Sequence, residues 1–213
     1  ELFKKAAMQK EMDALNLLYD RQRKQYQIAR QNVQIINRKC HELKVQIADL
    51  RRLQPDEAAT QSLDEAEQAA RMYDANAATG NEVLDVVLTE KSLLCEAQRI
   101  RLNCVADGTC LAAIEPGDLY ALFSNLLDQA IDAAAQQQND RRMIDLLVCR
   151  RQGFAVINVI GPALSGSQPD HGRRHSYELK VARRVVQKYS GAMATEPRGE
   201  LFAVKIVMPL TKG

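Results

Sequence analysis

The chain has 213 residues, 46% hydrophobic and 26% charged, with a formal net charge of +2. That length holds one large domain or two small ones, and so even a charge balance gives no electrostatic reason to expect a nucleic-acid partner. No signal peptide is visible and no apolar run reaches the ~18 residues of a membrane-spanning helix.

The first fifty residues read as one helix. Met8, Met12, Leu15, Tyr19, Gln22, Tyr26, Ala29, Val33, Ile36, Cys40, Leu43, Ile47 and Leu50 recur at alternating steps of four and three. This is an a/d seam of about six heptads, with the polar Gln22 as the kind of residue that fixes register. No Gly or Pro interrupts it before Pro55. A single helix cannot bury such a stripe, so a partner helix is expected, most simply from a second copy of the chain. The opening is already helical in pattern and reads as the continuation of a longer protein. Pro55-Asp56 suits the start of a second, Ala-rich helix folded back on the first, giving a four-helix bundle in the dimer.

The texture changes at Thr79-Gly80-Asn81, so we divide the chain into a helical hairpin over 1–78 and a compact unit over 79–213. In the second unit the pattern predicts a helix from Asn81 to about Gln98 and a strand near Ile100–Val105. A helix opened by an Asp118 cap then runs to about Gln136. Strands follow at 143–150 and 154–160, then a Gly-, Ser- and Pro-rich loop over 161–174. A helix from His175 stops at Gly191, and the last strands are 192–196 and 200–210. The order implies an α+β sandwich, a mixed sheet with helices on one face. The five cysteines are odd in number and lack CxxC spacing, so they read as reduced, buried thiols of a cytosolic protein. Three histidines are too few for a His-rich metal centre.

Four stretches resemble the peptide-sensing GHKL-type sensor histidine kinases of two-component systems. TGNEVLDVVLTEK (79–91) is similar to the opening helix of their catalytic domain, and NLLDQAIDAA (125–134) to their N-box, NLLDNAIEA. HSYELKVARRVVQKYSGAM (175–193) resembles HGIGLKSVKRIVEKYGG, and CHELK (40–44) stands where RHDLK carries the phosphoacceptor. The resemblance implies a GHKL (Bergerat-type) catalytic domain behind a dimeric phosphotransfer hairpin, ATP and Mg2+ as cofactors, and a response regulator or a partner kinase subunit as partner. It also implies a cytoplasmic location, with membrane anchoring through a segment ahead of residue 1. His41 is the implied phosphoacceptor; it falls at heptad position b, facing outward, with Glu42 beside it to orient the imidazole or take its proton.

The nucleotide motifs depart from that pattern. Gln129 stands at the magnesium Asn. Its amide oxygen is displaced by one methylene, which matters for an ion that demands octahedral geometry at ~2.0–2.1 Å. Asn125 is retained one turn earlier. Gly161 replaces the Asn or Asp that reads adenine. Ser176 and Glu178 replace two glycines of the phosphate loop, where backbone must meet ligand. Val45 replaces an Asn linked to dephosphorylation of the response regulator. The expectation is a pseudokinase-like domain with a degenerate ATP site. The alternatives are an active kinase with non-standard nucleotide binding and a dimeric scaffold without phosphotransfer. The basic residues Lys180, Arg183, Arg184 and Lys188 line one helix, which a solvated face explains without nucleic acid.

Overall fold

The computed structural model describes residues 2–53, 79–138, 141–163 and 169–210. The hairpin's second helix, expected over 56–78, lies outside the described residues. The first is present as one unbroken helix, α1 (Leu2–Leu53).

The compact unit runs α2 (Glu82–Ala97), β1 (Arg101–Ala106), a 3-10 turn (Gly108–Leu111), α3 (Pro116–Ala135), β2 (Met143–Arg151), β3 (Phe154–Pro162), α4 (Pro169–Lys188), β4 (Ala192–Arg198) and β5 (Leu201–Pro209). This is the expected order. The five strands form one mixed sheet in the order β1-β2-β3-β5-β4. β1 runs parallel to β2 and the other pairs are antiparallel. Alternation sets the layers: Ile144, Leu146 and Val148 of β2 and Ala155, Ile157 and Val159 of β3 point into the core, while their neighbours stay half-exposed. The core is closed by α3, whose Leu119, Leu122, Phe123, Leu126, Leu127 and Ile131 are buried. The two-residue turn between β2 and β3 has positive φ at both Gln152 (48°) and Gly153 (83°), the twist that matches a hairpin.

Local chemistry explains most boundaries. Asn81 caps α2, its side chain accepting from the backbone N–H of Val83 and Leu84. Two boundaries differ from the sequence reading. Asp118 is not the cap of α3: Pro116 opens that helix, and Asp118, two residues on, is completely buried. It accepts hydrogen bonds from Lys188 Nζ (2.6 Å) and from the Tyr189 hydroxyl (2.8 Å), which in turn accepts from the Glu115 backbone N–H (2.9 Å). The end of α4 thus caps the start of α3. The second difference is that α4 begins at Pro169 rather than His175, because Pro169-Asp170 is itself a helix start. His175, Ser176 and Glu178 therefore lie inside the helix.

The α1 seam is partly spent within the chain. Tyr26, Ala29 and Val33 are buried in the same core as α2 and α3, and Tyr26 meets Tyr120 ring to ring, centroids 5.6 Å apart. Ion pairs flank the contact: Arg30 with Glu82 at 2.8 Å and Arg23 with Glu115 at 3.6 Å. Among the cysteines, Cys40, Cys95 and Cys110 are buried as expected, Cys149 is half-buried, and Cys104 is exposed on edge strand β1. No helix among the described residues is long and apolar enough to cross a membrane.

Candidate functional site

The N-box residues lie on α3, which is buried on nearly all sides because it packs on the sheet beneath it and on α1, α2 and α4 around it. Ser124, Asn125 and Gln129 are its buried uncharged polar side chains. Asn125 and Gln129 are four apart, yet they serve different surroundings.

Gln129 lines a cavity of about 280 Å³ between α3 and strands β3 and β5. Leu126, Ala130, Ala133, Val159, Phe202 and Val204 form most of the wall, with Gly161 and Pro162 at the end of β3. Among the described residues, Gln129 is the single polar side chain in that lining, and none of them there is charged. Gly161 is there as the sequence predicts. A Cβ built on it would sit 3.6 Å from the Ala130 Cβ, an ordinary contact, so the glycine is not imposed by lack of space.

Asn125 is absent from that lining. Its oxygen accepts from Gln22 Nε2 at 2.9 Å, and its amide nitrogen donates to Gln22 Oε1 and to the Ala121 carbonyl, each at 2.5 Å. Both ends of the amide are committed to Gln22 of α1, the nitrogen to Ala121 as well.

The described residues do not by themselves make a magnesium–triphosphate site. Mg2+ is held by oxygens, usually one or two carboxylates with phosphate. Here the described residues of the cavity offer one neutral amide, while the second amide oxygen faces α1. A phosphate also needs unpaired backbone N–H groups at a helix start. The segment expected to supply them, Ser176 to Glu178, sits in the second and third turns of α4, where N–H groups bond back along the helix. Glu178 is therefore not in the first turn of the helix, where a start at His175 would put it.

His41 is exposed on α1, as its heptad position predicts, and does not line the cavity that holds Gln129. Glu42 is exposed too, but its carboxylate pairs with Lys39 at 2.6 Å, and Lys39 holds it below the usual carboxylate range.

One polar cluster escaped the sequence reading. Lys91 of α2 is buried, its ammonium 2.8 Å from Asp128 and 3.1 Å from Glu90. Tyr120 donates to the other oxygen of Glu90 at 2.9 Å. The group edges a groove of about 450 Å³ bounded by α1, α2 and α3. Burial alone would lower the Lys91 pKa, but the two carboxylates outweigh it and hold it above the usual lysine value. The signal was present: Lys91 continues the four-residue stripe Val83, Val87, Lys91, Cys95, and a cation on an apolar stripe calls for a buried partner.

A sequence family described as GHKL domain, HATPase_c_5, matches residues 114–209, the stretch from the start of α3 to the end of β5. Residues 114–209 are a GHKL domain. α2 and β1 precede the matched stretch and share its core. Among curated proteins no significant match is found. Solved structures similar to this chain include the catalytic domain of histidine kinase ThkA, with TM-score 0.48 and 14% identity over 62% of this chain and 94% of that one. The Acinetobacter baumannii histidine kinase AdeS gives 0.46 and 12% over 74% and 87%. The histidine kinase domain of the blue-light-activated kinase of Erythrobacter litoralis gives 0.40 and 15% over 84% and 94%. The assignment of the GHKL domain rests on the sequence family.

Proposed function

We propose that the chain is the phosphotransfer and catalytic region of a histidine-kinase-like two-component signalling protein whose nucleotide site no longer supports magnesium–triphosphate chemistry. One observation carries this reading: among the described residues Gln129 is the lone polar side chain of an otherwise apolar cavity, while Asn125, its companion one turn away, is bound to Gln22. GHKL domains generally bind ATP with Mg2+; in this reading the fold around such a site is kept, while its metal and phosphate donors are missing among the described side chains.

In this reading residues 1–78 form a dimeric stalk and His41 is the phosphoacceptor, exposed where a second protein reaches it. A partner kinase subunit supplies the phosphoryl group in trans, and a response regulator receives it. Glu42, engaged by Lys39, is a weaker candidate for proton transfer than its place beside His41 implies. In this reading the location is cytoplasmic.

The test mixes the chain with an active kinase of the same family and labelled ATP. Label is expected on the chain, and His41→Gln is expected to abolish it. Label that persists in His41→Gln would remove His41 from its role.

A further inference from the structure

The seam of α1 faces two claimants. Four consecutive a/d positions, Gln22, Tyr26, Ala29 and Val33, lie against the chain's own α2 and α3. Tyr26, Ala29 and Val33 are each less than a tenth exposed, so nothing of their surface remains for another helix. Elsewhere on the same two rows the seam is only partly covered: Cys40 and Ile47 are each 7% exposed, whereas Met12 is 47% exposed, Leu43 50% and Leu50 49%. The heptad phase runs without a break from the uncovered positions through the docked ones. An apolar stripe with that phase is complementary to another of the same phase.

We infer that α1 carries a single surface for two mutually exclusive partners, the chain's own GHKL domain and the α1 of a second copy. A dimer that zips the whole seam must strip Tyr26, Ala29 and Val33 from α2 and α3. Gln22 then exchanges Asn125 for the polar seam position of the other copy, keeping an amide partner in both states. Undocking frees Asn125 on the N-box helix, so assembly of the stalk and the state of the nucleotide-site helix are coupled. This rests on the dimeric stalk of the proposed function.

The consequence is an inverse dependence. When docking and dimerisation compete, the apparent dimer affinity is reduced by the fraction of chains that are docked. Changes on the domain side, which leave the α1 seam intact, must therefore tighten the dimer. The experiment is sedimentation velocity over a concentration series on the whole chain and on Asn125→Ala and Glu82→Ala. Asn125→Ala is expected to tighten the dimer about tenfold, equivalent to ~1.4 kcal/mol. Glu82→Ala removes only an exposed ion pair and is expected to act in the same direction by about twofold. Hydrogen exchange on the unmodified chain gives a second readout that needs no variant: backbone amides of 82–91 and 118–127 are expected to exchange faster as concentration rises and dimer forms. A dimer whose affinity is unchanged or weakened in Asn125→Ala, or in which those amides become better protected, overturns the competition while leaving the stalk standing. A chain that stays monomeric at every concentration overturns the stalk and the competition together. Neither result bears on whether ATP binds.

Discussion

Lys91 shows how a single residue can hold two helices in place. Its side chain is 5% exposed, and its charge is matched by Asp128 at 29% and Glu90 at 38%. Replacing it with Met leaves two carboxylates without their cation. Breaking a buried pair from one side costs about 3–5 kcal/mol, and the water still reaching Asp128 puts the expected loss at the low end. Urea unfolding of Lys91→Met measures it; adding Asp128→Asn should recover much of the loss, and the double-mutant cycle gives the coupling. The pH dependence follows in sign. The folded Lys91 pKa lies above the unfolded value, so its contribution is fully present below about 10.5 and is lost as pH rises through the folded value. Unfolding free energy should therefore fall above pH 10 more steeply in the wild type than in Lys91→Met. Glycines give a paired contrast. A Cβ on Gly191 would meet Met208 Cγ at 2.6 Å and the Val207 carbonyl oxygen at 2.8 Å. Gly191→Ala should cost about 1–3 kcal/mol as an overpacking change, whereas Gly161→Ala meets only ordinary contacts and should fold with little loss in the same urea assay.

At the scale of elements, the end of α4 explains why one boundary was legible for an inexact reason. The sequence marks Gly191 as a stop, and the helix does end there. The left-handed residue, however, is Ser190 (φ 55°). Gly191 donates to the Val186 carbonyl at 2.9 Å and Ser190 to Gln187 at 3.0 Å, the two bonds of a Schellman cap. Ser190→Gly should then stabilise the chain by up to about 1 kcal/mol, because a Cβ is disfavoured in that conformation. The order of elements along the chain was legible because alternation and turn residues are local signals; the order of strands in the sheet was not, because it is set by tertiary pairing. The start of α4 was not, because Gly172 inside a Ser- and Pro-rich stretch masks the Pro169-Asp170 start. Asp118 was misread for a related reason: an acidic residue near a helix start looks like a cap, and only tertiary contact with Lys188 and Tyr189 reveals a buried ion pair. At the candidate site, Gln129 and Gly161 were found by motif position. The turning of Asn125 toward Gln22 was not, since nothing local links residues 103 apart in sequence.

For the whole molecule, the GHKL domain and the long helix are joined by an interface that uses the helix's own seam. The domain has its sheet, its N-box helix and a cavity between them, but apart from Gln129 the described side chains that wall the cavity are apolar, and the second amide serves the interface. Calorimetric titration of Mg2+-ATP into the chain at about 100 µM protein tests this most directly, since that concentration reports dissociation constants well into the micromolar range. No saturable heat is expected. Saturable micromolar binding that requires Mg2+ and disappears in Gln129→Leu would contradict the proposed loss of the magnesium–triphosphate site.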